Sequence, residues 1–245
     1  MMHALSAPEL LDAWERGLGQ PPLQRALTLL AAACAETPLD VLERLSLGQR
    51  DARLLMLREW AFGPQLLSLA TCLGCQERLE LTLSLADLRL APAVEPGETF
   101  SLTVGEYAMC FRLPNSQDLA TIAHQLDVAT ARQILLERCL LTADHDGQQR
   151  SANQLPPQIV DAIVEHMARA DPQADVQLSL VCPQCGHQWQ AAFDIASFFW
   201  SEINAWANRI LREVHILASR YGWSEMDILA LSPWRRQFYL DMVNA

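Results

Sequence analysis

The sequence predicts an α+β fold, mostly helical, with a small antiparallel β module. Three observations predict it. Apolar residues recur at helical spacing through both ends of the chain, they alternate at period two in the middle, and two Cys-x-x-Cys pairs interrupt the alternating runs. A chain of 245 residues, 51% of them hydrophobic and 19% charged, folds with ample core as one large domain or two small ones.

Residues 8–63 read as helical. Pro21-Pro22 precede an apolar helix over 23–35. Thr37-Pro38-Leu39-Asp40 offers a cap residue, proline at the first helical position and an acid three residues after the cap. Leu42 and Leu45 follow, and Leu54, Leu55 and Leu57 belong to a further helix that stops at Gly63-Pro64. Period two then takes over. Leu79, Leu81, Leu83 and Leu85 alternate with Glu80, Thr82 and Ser84, as in a strand with one buried face. Residues 91–98 form a Pro/Gly-rich loop. Phe100, Leu102 and Val104, then Tyr107, Met109 and Phe111, alternate on either side of Gly105-Glu106, which fits a two-residue hairpin turn with glycine first.

A helix is expected over 119–141, burying Ile122, Leu126, Ile134, Leu135 and Cys139. A polar loop over 142–155 and a short helix over 157–170 come next. Val176, Leu178 and Leu180 mark another strand, with 188–195 as its partner. Ile203, Trp206, Ile210, Val214, Leu217 and Tyr221 give the C-terminal helix an apolar face. Ser224 with Asp227 makes a capping-box-like start, and Ser232-Pro233 opens the last helix. The elements divide into an N-terminal helical region (1–63), a first Cys-x-x-Cys segment with β-hairpins (64–113), a middle helical segment (114–174), a second Cys-x-x-Cys hairpin (175–195) and C-terminal helices (196–245). One intertwined domain is expected from them. Residues 66–88 and 175–198 form a weak internal repeat of strand, Cys-x-x-Cys and strand.

The two pairs, Cys72/Cys75 and Cys182/Cys185, carry the chemistry. A zinc knuckle needs two thiolates on one tight turn whose backbone amides face the sulfurs, and Cys-x-x-Cys supplies that spacing. Two knuckles complete a tetrahedral four-sulfur shell, so the β module is expected to be built on two zinc-knuckle hairpins holding one structural Zn2+. Gly186, directly after Cys185, tolerates the positive φ of such a turn. A redox role needs the pair at a helix start, whereas period-two runs follow both pairs here. An iron–sulfur cluster uses the same ligand type, and a closed tetrahedral site favours zinc. His187 is an alternative ligand, read instead as a turn histidine. Cys34, Cys110 and Cys139 lie in apolar periodic runs and are expected in the core.

Composition excludes several functions. Net charge is −11, which disfavours nucleic-acid backbones. All 18 basic residues are Arg, so lysine-dependent phosphate loops and Schiff bases are out. The most apolar stretch, 29–35, is too short to span a bilayer. The first 20 residues lack a secretory pattern, so a reducing cytoplasm is expected, where seven cysteines point to metal or packing. No catalytic motif stands out. Asp144-His145-Asp146 looks like an acid–base cluster and reads as a solvated turn, and four-thiolate zinc has no open position for water. A non-enzymatic role is expected, with no small-molecule substrate. Trp223, Trp234, Arg235, Arg236, Phe238 and Tyr239 make a candidate partner-binding surface.

Four segments carry a family resemblance. They are Leu47-Gly48-Gln49-Arg50-Asp51-Ala52-Arg53-Leu54-Leu55, then Phe111-Arg112-Leu113-Pro114 with Asp118-Leu119, Phe193-Asp194-Ile195 leading to Trp200, and Tyr221-Gly222-Trp223-Ser224-Glu225 through Ile228-Leu229-Ala230-Leu231-Ser232-Pro233. In these the chain resembles the T4-type baseplate family, the baseplate hub assembly chaperones of contractile phage tails and related bacterial injection systems. The resemblance runs from about residue 40 to 243 and implies an assembly chaperone or minor baseplate component without chemistry, whose partner is a hub or tail protein. The residues alone leave a second reading, a zinc-ribbon-like nucleic-acid or transcription adaptor, which the acidic charge opposes.

Overall fold

The computed structural model describes residues 1–90 and 98–244. In chain order the elements are α1 (Ala7–Gly17), α2 (Pro22–Ala33), α3 (Leu39–Glu43), α4 (Leu47–Phe62), β1 (Gln65–Thr71), β2 (Arg78–Ser84), α5 (Leu85–Leu88), β3 (Thr99–Val104), β4 (Tyr107–Arg112), α6 (Ser116–Ile122), α7 (Val128–Cys139), β5 (Leu140–His145), β6 (Gln148–Gln149), α8 (Pro157–Ala170), β7 (Gln177–Val181), β8 (Gln188–Ala192), α9 (Ile195–Tyr221), α10 (Glu225–Leu229) and α11 (Pro233–Asn244). Helices predominate and the sheets are small and antiparallel, so the fold is α+β as the sequence predicts. No helix among the described residues is long and apolar enough to cross a membrane. Contacts divide the chain into two compact units, Met1–Thr37 with Ile195–Ala245, and Pro38–Asp194.

The first unit is helical. Its core is the inner faces of α1, α2 and α9, with Leu10, Leu11, Leu27, Leu30, Ile203, Ile210 and Leu217 buried. The three- and four-residue spacing of these positions puts them on one side of each helix. Trp14 donates its indole N–H to Asn204 at 3.1 Å, so the buried ring leaves no unpaired donor. Ser224 starts α10 by accepting from the Asp227 amide at 3.2 Å, and the Ser232 hydroxyl accepts from the Arg235 amide at 3.3 Å at the head of α11.

The second unit carries three antiparallel sheets, in the orders β1-β2, β3-β4-β5-β6 and β7-β8. Met109, Phe111, Leu136, Ala143, Leu155, Ile159 and Ile163 form a core between the four-stranded sheet and helices α7 and α8. The segments that carry the resemblance serve as anchors here. The Gly48 amide donates to Asp171 at 2.9 Å, and a Cβ at Gly48 would lie 1.9 Å from the other carboxylate oxygen. Only glycine permits that approach. Asp118 is fully buried, with Arg112 at 2.6 Å and Arg138 at 2.8 Å, and it accepts from the Asn115 amide at 3.0 Å. Burial alone would raise this carboxyl; the bonds from Arg112, Asn115 and Arg138 outweigh it and hold it below the ordinary carboxylate range.

Several expectations are corrected. The helix over 119–141 is two helices and a strand. Asp127 accepts from the Thr130 amide at 2.8 Å and caps a new helix at Val128, which leaves Leu126 96% exposed, while Leu140 pairs with Phe111 in β5 and Leu141 falls at the register shift beside it. The expected loop over 142–155 contains the β5–β6 hairpin. Its Asp146-Gly147 turn has φ of +54° and +76°, both left-handed as this two-residue turn requires. The middle segment is therefore not wholly helical. Helix α3 begins at Leu39 with Pro38 as the cap, one residue later than expected. Cys34 and Cys139 are buried, and burial pushes the Cys139 thiol up to about 11, but Cys110 is only half-buried. Of the expected loop over 91–98, residues 91–97 lie outside the described residues. The Gly105-Glu106 hairpin is present, with Val104 opposite Tyr107 and Gly105 at φ +58°.

Candidate metal centre

The second unit brings both Cys-x-x-Cys pairs to one point. Each pair sits in a six-residue turn between two strands. In the first, Thr71 and Arg78 are the last paired residues of β1 and β2; in the second, Val181 and Gln188 close β7 and β8. The backbone bonds match. The Cys72 amide donates to the Glu77 carbonyl at 2.8 Å and the Gln76 amide to the Cys72 carbonyl at 3.0 Å. The Cys182 amide donates to His187 at 2.9 Å and the Gly186 amide to Cys182 at 2.9 Å. The internal repeat read from the sequence is thus a repeat of turn geometry.

The four sulfurs lie within 4.8 Å of one another. Across the turns, Cys72 Sγ is 3.6 Å from Cys185 Sγ, and Cys75 Sγ is 3.7 Å from Cys182 Sγ. Four thiolates bound tetrahedrally at about 2.3 Å would be separated by about 3.8 Å. A disulfide requires about 2.05 Å, and none of these four cysteines forms one. The spacing fits a metal between the sulfurs. Cys72 and Cys182 are buried against Leu79, with Leu81 and Trp189 packed around them, whereas Cys75 and Cys185 are exposed.

Electrostatics separates the sulfurs. Burial opposes ionisation of Cys72, yet the Cys75 and Gly74 amides and the Cys182 and Cys185 thiols hydrogen-bond its sulfur and bring it down to about 6. The Gly74 amide is 3.3 Å away. At Cys75 the Glu77 amide pulls downward, but the Cys185 thiol, burial and the other two thiols prevail and push it up to about 12. Four sulfurs so close cannot all ionise without a cation, so metal binding would displace protons from this cluster.

His187 is outside the sulfur cluster. Its ring lies on Trp189, with centroids 5.7 Å apart, and its carbonyl takes the Cys182 amide. The expected partner-binding residues lie in the first unit and divide into two sets. Trp223 and Tyr239 pack with Tyr221, at 4.7 Å for Tyr221–Trp223 and 4.9 Å for Trp223–Tyr239. Trp234 and Phe238 stack at 5.9 Å while 77% and 51% exposed, and Arg235 is exposed beside them. Arg236 is a correction. It is buried, bonded to Glu213 at 2.8 Å and to the Leu231 carbonyl at 3.1 Å, because it shares the inner face of α11 with Leu240. Exposed Met242 extends the outer stripe at the next four-residue step and was missed by sequence reasoning, although helical spacing marks it. Also missed was Glu106, which lies with His145 and Asp146 in a second cluster of metal-ligand residues.

The family model described as "T4 bacteriophage base plate protein" matches residues 18–200, three quarters of the chain, and includes both cysteine pairs. The resembling segment from Tyr221 to Pro233 lies beyond the matched residues. No curated protein and no solved structure matches the chain.

Proposed function

The chain belongs to the T4 bacteriophage base plate protein family, and on that basis we propose that it is a non-enzymatic assembly chaperone or minor component for the baseplate hub of a contractile tail or injection system. The family match over residues 18–200 carries this reading. The four clustered cysteines support a structural Zn2+. Thiolate ligands select soft or borderline metals, and a tetrahedral site closed by four protein ligands suits zinc and leaves no position for catalytic water.

The zinc holds two hairpins together across the 106 residues that separate Cys75 from Cys182. That braces the middle of the chain as a rigid holder. The exposed stripe of Trp234, Phe238 and Met242 on α11 supports a protein partner, since aromatic side chains at helical spacing are common interface anchors. An acidic molecule with this stripe would cover an apolar surface with basic surroundings on a hub or tail protein until assembly.

Deleting the gene in its host and imaging the tail particles tests the role. The expected outcome is loss of complete baseplates, restored by the gene in trans. Normal numbers of intact, contractile particles would overturn it. Metal analysis of the purified chain should find one zinc per chain; stoichiometric iron with visible absorption would replace the zinc assignment.

A further inference from the structure

The four-stranded sheet places two turns side by side. Tyr107 pairs with His145, so the Gly105-Glu106 turn of β3–β4 and the Asp146-Gly147 turn of β5–β6 meet at one end of the sheet. The His145 ring stacks on Tyr107 with centroids 4.1 Å apart and planes 19° from parallel, which fixes its orientation. Its Nε2 lies 3.6 Å from Glu106 Oε2. One ligand atom each from Glu106, His145 and Asp146 falls within 4.8 Å of the others. Asp144 is occupied differently, accepting from the Gly147 amide at 2.8 Å and pinning the turn.

We propose that Glu106, His145 and Asp146 form a second, solvent-open site for a divalent transition-metal ion. A nitrogen–oxygen separation of 3.6 Å is too long for a hydrogen bond. It is close to the spacing of about 3.4 Å between two ligands held tetrahedrally at about 2.1 Å from one metal. Small side-chain rotations bring the third ligand in, because Glu106 and Asp146 are exposed. The left-handed Asp146 places its carboxylate beside the histidine that precedes it, and two carboxylates attract a cation before it binds.

One imidazole with two carboxylates suits Zn2+, Ni2+ or Co2+; an all-oxygen shell would suit Mg2+ or Ca2+. The chemistry differs from that of the cysteine centre. Four thiolates close their metal off, whereas three ligands leave at least one position for water or for a side chain of another protein. The site therefore binds reversibly from solution and can be completed by a bound partner.

Calorimetric titration of Ni2+ into the full chain, first incubated with Zn2+ to occupy the cysteines and freed of excess metal, tests the site, because empty thiolates would take up Ni2+ themselves. One Ni2+ per chain is expected beyond any metal already present. His145→Gln should weaken that binding by at least about tenfold, with smaller losses for Glu106→Gln and Asp146→Asn. His124→Gln, at an exposed histidine outside the cluster, should leave it unchanged. If His145→Gln does not fold, the double variant of the two exposed carboxylates carries the test. Equal Ni2+ binding by wild type and by either cluster variant would overturn the proposal, as would equal weakening by His124→Gln. The difference between wild type and the cluster variants reports this site alone, whatever the cysteines hold and whatever the role in tail assembly, so each idea can fail separately.

Discussion

The two cysteine turns reach the same backbone through different residues. After Cys75 the chain places Gln76 at φ +62°; after Cys185 it places Gly186 at φ +72°. Glycine enters this left-handed region freely, whereas a residue with a Cβ pays roughly 1–2 kcal/mol. The hydrogen bonds on either side agree within 0.1 Å between the turns. The geometry is therefore set by what the sulfurs need, and local preference gives way at Gln76. The flanks differ too. Strands β1 and β2 have seven residues each and β7 and β8 five, so the strained turn is closed by the longer ladder.

The largest effect comes from removing what the turns share. Chelation, or Cys→Ser at any one of the four, should unfold the Pro38–Asp194 unit, seen as loss of its cooperative thermal transition. Structural zinc contributes on the order of 10–16 kcal/mol in small peptides, comparable to or above the net stability of a typical domain. The comparison sharpens here, because Cys72 and Cys182 are buried whereas Cys75 and Cys185 are exposed. A metal makes all four equally necessary. If serine were tolerated at the exposed pair and not at the buried pair, the sulfurs would be packing groups and the brace would be lost.

Sequence reasoning read the cysteine turns well because their evidence is local: spacing, and alternation on both sides. The Gly105 turn and the Ser224 cap were legible for the same reason. That the two pairs meet was an inference from ligand number; the approach itself depends on how the 106 intervening residues pack. The break at Asp127 was hidden because apolar residues continue at helical spacing across it, and exposed Leu126 looked like core. The β5–β6 hairpin had a signal in Asp146-Gly147 that polar neighbours masked. Glu106 could not be linked to His145 without the strand register. Arg236 was placed with Arg235 on the candidate partner surface, although α11 turns one inward and the other outward.

A smaller effect comes from making the second turn resemble the first. Gly186→Gln should cost about 1–2 kcal/mol, since it adds a Cβ at positive φ where no neighbouring atom lies within 4 Å to clash. For a unit of this size that lowers the melting temperature by roughly 2–4 °C per kcal/mol. The metal content measured for the wild type should be unchanged, because Gln76 shows that the turn accepts a side chain there. A loss as large as that of Cys→Ser would mean that the second turn nucleates the module and the first merely follows.

The smallest effect has the opposite sign and comes from making the first turn resemble the second. Gln76→Gly relieves about 1–2 kcal/mol of left-handed strain. It also frees the unfolded chain, which returns about 0.4–1 kcal/mol of that gain. Gln76 is exposed, so little packing is lost. The net expectation is a stabilisation of about 0.5–1 kcal/mol, read as a modest rise in melting temperature at unchanged metal content. A fall would show that the Gln76 side chain makes a contribution its exposure does not suggest, and the two turns would then differ in role as well as in strain.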